Sequence, residues 1–317
     1  MTTLITGIGL VGTSFAQAAL DRGEKLVFLD FQPRRDFIKR KLGDTDVVVL
    51  QHDVRDLPAL VQVMNEHRVD TVVHTAGLIG GRVTESLFTG IQINVMGTVN
   101  VAEAVRLTGA KRLVHISTHG VYDRSQEGNA PVKENSPRGG GSGYGNSKAA
   151  KELMLEAYQR QYGFELVVLR LAGVYGLGHF WSGSGGGKMV QSIVHGGLTG
   201  EVIRFSKGQT RDFEYVYAKD VGRAIDLAAT VPSPTDTFFN IGSGVVTPFD
   251  NLIATAKSFL PKLKVEVAVG KAPSSAAQPL DLTLAKKQLG WEPQFDLEAG
   301  LKDLAQELLS SDDMEIT

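Results

Sequence analysis

A tyrosine and a lysine with helical spacing are the residues of this chain best suited to acid–base chemistry. Tyr144 and Lys148 stand four residues apart, so a helix would place both side chains on one face. A free tyrosine has a pKa of about 10 and is a poor base near neutral pH. Lowering that pKa to about 7 takes about 4 kcal/mol, roughly what one positive charge about 4 Å away supplies at an effective dielectric near 20. We therefore predict that Tyr144 exchanges a proton beside the Lys148 charge.

The spacing alone is not specific, because Tyr215 and Lys219 repeat it. Context separates the two pairs. Thr118 ends a predicted strand 26 residues before Tyr144, and its hydroxyl could hold the oxygen of a substrate. Tyr215 instead follows Arg211-Asp212-Phe213, with no comparable partner at a strand end upstream. We predict that Tyr144 is the acid–base residue and that Tyr215 is not.

A glycine-rich turn near the N-terminus predicts a dinucleotide site. Gly7-Ile8-Gly9-Leu10-Val11-Gly12 lies between a predicted strand and an amphipathic stretch. In that context the glycines allow a tight turn, and the helix N-terminus favours a pyrophosphate. Asp30 ends the next predicted strand, where a carboxylate hydrogen-bonds the adenosine ribose and repels a 2′-phosphate. NAD is therefore the predicted cofactor, with an oxidised nicotinamide as the second positive charge beside Tyr144; Arg34 and Arg35 leave NADP as an alternative.

The elements around these residues alternate between short β-branched runs and longer amphipathic stretches, the pattern of a parallel sheet covered on both faces. Strands are predicted at 2–6, 25–29, 46–51, 71–74, 112–117, 165–171, 202–205, 238–241 and 265–269. Helices are predicted at 10–22, 57–67, 87–108, 142–162, 188–195, 218–229, 249–259, 283–289 and 297–309. Two glycine-dense stretches, 139–145 and 182–187, are predicted to be loops.

This pattern predicts an α/β fold, a Rossmann-like doubly wound parallel sheet with a smaller C-terminal substrate lobe. The NAD-binding domain is predicted to span 1–171, with 213–241 returning to it. The substrate-binding lobe would then consist of 172–212 and 242–317.

Composition excludes several other classes of protein. The chain has no cysteine, which rules out disulfides, thiolate metal sites and thiol nucleophiles. Its net charge of -2 and scattered basic residues argue against nucleic-acid binding. No metal site is predicted, because His115 and His119 lie along and just beyond a strand, about 13 Å apart. The N-terminus does not read as a signal peptide, and no apolar run reaches the roughly 20 residues of a membrane span, so we expect a cytoplasmic protein.

Taken in order, the motifs of the chain resemble those of a known family over nearly its whole length. They are Thr-Gly-Ile-Gly-Leu-Val-Gly at 6–12, Asp-Val-Arg-Asp at 53–56, His-Thr-Ala-Gly at 74–77, Asn-Val-Met-Gly-Thr at 94–98, Ser-Thr at 117–118, Tyr144 with Lys148, Val-Tyr-Gly at 174–176, Arg-Asp-Phe at 211–213, Asn-Ile-Gly at 240–242 and Leu-Gly-Trp-Glu-Pro at 289–293. The chain resembles the extended short-chain dehydrogenases/reductases of the NAD-dependent epimerase/dehydratase type, in particular nucleotide-sugar 4-epimerases.

The resemblance implies a role for each matching residue. Tyr144 would be the general acid/base, Thr118 would orient the reacting hydroxyl, and Lys148 would bind the nicotinamide ribose and lower the pKa of Tyr144. Asn94 would support this catalytic group from its helix. The implied cofactor-binding residues are Gly7, Gly9, Leu10, Val11, Gly12, Asp30, Asp53, Val54, Ala76, Gly77, Ser117, Tyr144 and Lys148. The candidate substrate-binding residues are Thr118, His119, Tyr144, Gly173, Lys188 and Arg211, with Arg211 expected to meet a substrate phosphate.

Three positions depart from the family pattern. The glycine turn is one residue shorter than the usual Gly-x-x-Gly-x-x-Gly. His119 and Gly120 stand where dehydratases of the family carry an Asp-Glu pair, which argues against dehydration. Gly173 stands where nucleotide-sugar epimerases commonly have an asparagine that contacts the diphosphate, which weakens that interpretation of the substrate.

The predicted activity is NAD-dependent oxidation of a secondary alcohol on a sugar-like substrate, ending in epimerisation. If the ketone leaves instead, the protein is an NAD-dependent dehydrogenase. A catalytically inactive NAD-sensing regulator is a third alternative, although such proteins usually lack the Tyr and Lys that this chain retains. The long predicted helices 87–108 and 142–162 could pair with their copies in a four-helix contact, so a homodimer is expected.

Overall fold

A computed structural model of the protein describes residues 1–123, 130–139, 141–178, 184–271 and 277–310. The strands are β1 (Thr2–Thr6), β2 (Lys25–Asp30), β3 (Val48–Gln51), β4 (Thr71–His74), β5 (Arg112–Thr118), β6 (Glu165–Leu171), β7 (Gly173–Tyr175), β8 (Val202–Phe205), β9 (Phe213–Tyr217), β10 (Phe238–Ile241), β11 (Val246–Thr247) and β12 (Lys264–Val267). The α-helices are α1 (Leu10–Asp21), α2 (Arg35–Leu42), α3 (Leu57–Glu66), α4 (Gly81–Glu85), α5 (Leu87–Gly90), α6 (Gly97–Thr108), α7 (Gly143–Tyr162), α8 (Gly185–Thr199), α9 (Ala218–Thr230), α10 (Phe249–Phe259) and α11 (Leu297–Ser310).

A seven-stranded sheet in the order β10-β6-β5-β4-β1-β2-β3 forms the centre of the protein, and all of its pairings are parallel. Successive strand residues enter different cores, since Leu4 packs with α3 and α6 while Ile5 packs with α1 and α9. This two-sided burial explains the continuous apolar runs of the strands. The predicted Rossmann-like α/β fold is confirmed. Strand order reverses at β1 and β4, which opens a crevice at the carboxyl ends of the strands.

The remaining strands form two small sheets beside this centre. β9 lies between β11 and β7, and β8 pairs with β12. Side chains of α8, α10 and α11 share a separate hydrophobic core with β9. Thus β10, from the segment predicted to return to the first lobe, joins the large sheet, whereas β9 from the same segment pairs with β7. The division into lobes stays a prediction.

The predicted helix 87–108 is interrupted. Its middle turn, Ile91–Met96, is a π-helix between α5 and α6, a wider turn that often occurs at functional sites. The sequence pattern also missed α2, a short and highly charged helix that buries only Phe37, Ile38 and Leu42. Both glycine-dense stretches extend partly outside the described residues, at 140 and at 182–183. Of the helices in the described ranges, none combines the length and apolar character needed to cross a bilayer.

Candidate active site

A cavity of about 670 Å³ lies at the carboxyl ends of the central strands. It brings together most of the residues singled out from the sequence. Those that line it are Gly7, Gly9, Leu10, Val11, Asp30, Asp53, Val54, Ala76, Gly77, Ser117, Thr118, His119, Tyr144, Lys148, Gly173 and Arg211. Gly12, Asn94 and Lys188 are not among its lining residues in the described part of the chain.

The glycine turn forms a cradle at the start of α1. Gly7 has a left-handed φ of 86°, and a Cβ there would lie 2.7 Å from the Ala76 nitrogen. A Cβ on Gly12 would overlap the Gly7 carbonyl oxygen, so Gly12 permits the close approach of α1 to the turn without lining the cavity. Gly9, the N-cap, has open space beside it, and no described side chain caps the helix. The free N–H groups and the helix dipole therefore fit a dinucleotide pyrophosphate.

The Asp30 carboxylate is fixed at the wall of this cradle. Its Oδ2 accepts a hydrogen bond from the Ile8 nitrogen at 2.7 Å, and its Oδ1 accepts one from the Gln32 nitrogen at 2.8 Å. Each oxygen keeps a further lone pair for a ribose hydroxyl. Arg35 donates to the Val49 carbonyl at 3.1 Å, and of the two arginines only Arg34 lines the cavity. The fixed Asp30 carboxylate would repel a 2′-phosphate, so the cradle fits NAD better than NADP.

Asp53 and Val54 form the next part of the wall. The Asp53 carboxylate is held by Arg55, with Nη2 of Arg55 2.6 Å from Oδ2. That hydrogen bond lowers the pKa of Asp53 against the opposing effect of partial burial. Val54 is buried against Gly97, where an added Cβ would lie 2.7 Å from its Cγ2. The adenine contact expected for both residues stays a prediction.

Close packing of α7 against the turn after β5 assembles the catalytic group. Ser142 caps α7 by accepting from the Gly145 nitrogen at 2.9 Å. A Cβ on Gly145 would overlap the Gly120 carbonyl oxygen, so only glycine allows this approach. Tyr144 consequently reaches Thr118 and forms a side-chain hydrogen bond with it. The Lys148 Nζ lies 5.9 Å from the centre of the Tyr144 ring and donates to the Ile116 carbonyl at 2.8 Å.

The electrostatics of this group correct one expectation from the sequence. Desolvation by the surrounding protein raises the pKa of Tyr144 to about 12, and the hydrogen bond with Thr118 only partly opposes it. The expected lowering by Lys148 is therefore outweighed by the cost of burying a phenolate. Burial also lowers the pKa of Lys148 to about 8, although the nearby Glu152 carboxylate opposes that effect. Additional positive charge is needed before Tyr144 can act as a base near neutral pH.

Asn94 and Lys188 lie outside the cavity wall for different reasons. Asn94 is fully buried in the π-helix, where its Oδ1 accepts from the Leu78 nitrogen at 2.7 Å and its Nδ2 donates to the Leu78 oxygen at 3.0 Å. It thus braces the wall segment that contains Gly77. Lys188 is half-buried on α8 and does not join the cavity-lining set in the described residues.

Phe213 is a cavity residue to which the sequence assigned no role. Its ring lies 4.7 Å beneath the Arg211 guanidinium and 5.3 Å from the His119 ring in an edge-on contact. The signal was present in the Arg-Asp-Phe motif, but only the arginine was given a function. The second Tyr-x-x-x-Lys pair lies outside the cavity wall. Tyr215 is buried and does not line the cavity, and Lys219 pairs with Asp303 at 2.5 Å.

Comparison with known proteins identifies the family. The profile of the NAD dependent epimerase/dehydratase family matches residues 3–242, which run from within β1 to just past β10 and include the whole catalytic group. The chain belongs to the NAD dependent epimerase/dehydratase family. The predicted family, the predicted enzyme class and the predicted cofactor, NAD, are confirmed.

Individual members of the family resemble the whole chain. UDP-glucose 4-epimerase from Mycolicibacterium smegmatis is 30% identical over 310 residues, covering 95% of this chain and 96% of that protein. dTDP-glucose 4,6-dehydratase from Xanthomonas campestris pv. campestris is 24% identical over 325 residues, covering 95% and 91%. The crystal structure of UDP-glucose 4-epimerase from Thermotoga maritima with UDP-glucose superposes with a TM-score of 0.85 at 25% identity, covering 98% of this chain and 99% of that chain.

Beneath the catalytic group, this member of the epimerase/dehydratase family has a buried ionic network. Glu152 is fully buried and accepts from Ser117 Oγ at 2.5 Å and from Arg170 Nη2 at 2.7 Å. Arg138 is a third partner, with Nη1 3.2 Å from Glu152 Oε2. The network fixes Ser117, at the cavity wall, to β6 and α7. Sequence reasoning missed Glu152, although it stands four residues after Lys148 on the same helix.

Proposed function

We propose that this protein epimerises a nucleotide sugar by NAD-dependent oxidation and reduction of a secondary alcohol. The observation that carries the proposal is the single cavity shared by Tyr144, Thr118 and the glycine cradle, with Arg211 at its wall. Arg211 has no ion pair with a described carboxylate, and its guanidinium suits the diphosphate of a nucleotide sugar. The match to UDP-glucose 4-epimerases over more than nine-tenths of the chain supports the same substrate class.

The proposed proton transfer follows from the hydrogen bond between Thr118 and Tyr144. Thr118 holds the substrate hydroxyl, and the Tyr144 oxygen takes its proton as the C–H bond at the same carbon breaks. NAD, which the glycine cradle and Asp30 would hold, would supply a hydride acceptor able to return the hydride to the opposite face of the ketone, and its oxidised ring would supply positive charge that favours loss of the Tyr144 proton. Tyr144 then returns the proton to the new alcohol, so no net oxidation remains.

Tyr144 needs a large electrostatic contribution to act as a base near neutral pH. Bringing the Tyr144 pKa from about 12 to about 7 takes about 7 kcal/mol. The Lys148 ammonium, 5.9 Å from the ring centre, is already present in the structure in which the pKa is about 12, so it does not supply this energy. A second cation about 4 Å away would provide about 4 kcal/mol of it at an effective dielectric near 20. Positive charge beyond that of Lys148 is therefore required.

The proposed epimerase is distinguished from a dehydrogenase by its products. The purified protein is incubated with NAD and, separately, UDP-glucose, UDP-galactose and dTDP-glucose, and the sugars are followed by NMR while NADH is followed by absorbance. We expect one C4 epimer to form from at least one sugar without NADH accumulation. NADH in stoichiometric amount with a ketone or acid product would replace the proposal with a dehydrogenase. Turnover of none of these sugars would contradict it.

We also propose a homodimer, formed through α6, α7 and the adjoining π-helix. These packed helices expose apolar side chains that would contact water in a monomer. The exposed fractions are 43% for Met96, 50% for Leu107, 48% for Leu153 and 42% for Met154. Light scattering should give a mass about twice the chain mass of 34.1 kDa, and Met154→Glu should shift it towards the monomer. As a control, Glu at the fully exposed Val269, far from these helices in the chain, should leave the mass unchanged. A monomeric wild type would refute the proposal.

A further inference from the structure

The substrate end of the cavity contains a glycine whose side-chain space is already filled. A Cβ built on Gly173 would overlap Cε1 of Phe213, lie 2.6 Å from its Cδ1 and 3.0 Å from the Glu214 oxygen. Gly173 is not among the described glycines with positive φ, so its backbone does not itself demand glycine. The constraint is steric. The Phe213 ring from β9 occupies the volume that any side chain at position 173 would need.

The ring is fixed from several directions. The Arg211 guanidinium lies 4.7 Å from its centre, and the rings of His119 and Tyr215 lie at 5.3 and 5.4 Å. A Cβ on Gly186, in the first turn of α8, would lie 3.4 Å from Cε1, so this turn also closes on the ring. Phe213 therefore holds Arg211 in a stacked position and is itself held in one orientation.

The Phe213 ring contacts residues from both parts of the proposed substrate site. His119 directly follows Thr118, which holds the reacting hydroxyl in the proposed function, and Arg211 is the cation suited to the diphosphate. Phe213 contacts both His119 and Arg211, so a sugar that spans the two sites must pass beside this ring. An aromatic ring accepts the C–H face of a pyranose, but it offers no hydrogen-bonding group and no room for a large polar substituent.

We infer that the Phe213–Gly173 pair determines sugar specificity by restricting the cavity to hexoses without a bulky substituent on the face that meets β7 and β9. This inference rests on the proposed function, because it takes a nucleotide sugar as the substrate. Phe213 acts by direct contact with the sugar and by orienting Arg211. Gly173 acts by leaving room for the ring.

The first test compares UDP-glucose with UDP-N-acetylglucosamine, which carries an added acetamido group. Dissociation constants are measured calorimetrically on the NAD-loaded protein, and kcat/KM is measured for both sugars. Wild type should prefer UDP-glucose, and Phe213→Ala should reduce that preference about tenfold by admitting the larger sugar, which is the discrimination typical of a few atoms in an apolar pocket. Phe259→Ala, which truncates a half-buried phenylalanine outside the cavity, should leave the preference unchanged.

The second test examines the coupling between the two positions. Gly173→Ala should weaken UDP-glucose binding about tenfold in wild type, because the new Cβ displaces the ring, but should change binding little in a Phe213→Ala background. If wild type binds and epimerises UDP-glucose while the preference and the coupling are both absent, the inference is wrong and the proposed function stands. If wild type binds and epimerises none of UDP-glucose, UDP-galactose and dTDP-glucose, both are wrong.

Discussion

Replacing Tyr144 by phenylalanine should lower kcat about 10²- to 10⁴-fold, the usual contribution of a general acid–base residue. The substitution removes the oxygen that bonds Thr118 and exchanges the substrate proton, while the ring that lines the cavity remains. NAD affinity, measured by calorimetry, should therefore change little. A loss of activity caused by weaker NAD binding would contradict the proposed role of Tyr144.

The pH dependence adds a readout that a packing defect would not imitate. Tyr144 acts as a base only when deprotonated, and its pKa of about 12 in the protein means that activity is limited by protonation at neutral pH. Positive charge from NAD lowers that pKa, so wild-type kcat should rise with pH to an apparent pKa below 12. The residual activity of Tyr144→Phe should lack this rise.

The second Tyr-x-x-x-Lys pair supplies a matched control. Tyr215 is buried, and its hydroxyl has no hydrogen-bond partner in the described structure. Tyr215→Phe therefore removes a chemically identical oxygen without breaking a hydrogen bond. Activity and its pH profile should be close to wild type. A loss of activity as large as that of Tyr144→Phe would mean that the surroundings of Tyr144 do not distinguish it from Tyr215, and the assignment of Tyr144 as the acid–base residue would be wrong.

Residues whose roles depend on nearby sequence were predictable. The glycine turn, the start of α1 and Asp30 belong to one strand–turn–helix–strand unit, and their spacing fixes the bond between Asp30 and Ile8. Tyr144 and Lys148 share a single helix. In both cases the geometry follows from one or two elements, so the pattern of residues was sufficient.

Features that depend on contacts between distant segments were not predictable. Phe213 fills the space beside Gly173 only because β7 pairs with β9. Residues 40 apart in sequence carry no local signal of that contact. The sequence predicts an ordinary helix where the π-helix occurs. The hydrogen bond between Asn94 in this helix and Leu78 in a different loop leaves no signal in the local pattern of residues. The raised pKa of Tyr144 likewise reflects burial by several elements, which spacing does not report.

Lys151→Met should make the protein more stable, even though it removes a charged residue type next to the active site. Lys151 is fully buried on α7, and its Nζ has no hydrogen-bond partner among the described residues. Burial and the nearby Lys148 charge hold the pKa of Lys151 well below its usual value. Leaving a buried polar group unsatisfied typically costs about 1–3 kcal/mol, and methionine fills similar volume without that cost. We expect urea unfolding at pH 7 to show a gain in unfolding free energy of at least this order, because keeping the folded amine neutral at that pH adds to the cost.

The sign of the pH dependence follows from the lowered pKa of Lys151. Between that lowered pKa and about 10.4, the unfolded chain holds a proton on Lys151 that the folded protein does not, so the stability of wild type rises with pH. The two histidines coupled to Lys151, His74 and His115, are also buried with lowered pKa values, but unfolded histidine titrates near 6.5, below this range. Lys148 titrates in both proteins. Between pH 7 and 9, the unfolding free energy of wild type should therefore rise with pH more steeply than that of Lys151→Met, by up to about 1.4 kcal/mol per pH unit.

A surface lysine separates this effect from the general loss of a positive charge. Lys302 is half-exposed on α11 and pairs with Glu298 at 2.7 Å, a surface ion pair of the kind that contributes at most about 1 kcal/mol. Lys302→Met should leave both the stability and its pH slope nearly unchanged. If Lys151→Met were less stable than wild type with the same pH slope, the Lys151 amine would have to be protonated and paired in the folded protein. The wall behind Gly77, where an added Cβ would lie 3.5 Å from the Lys151 Nζ, would then contain a buried cation instead of a neutral base.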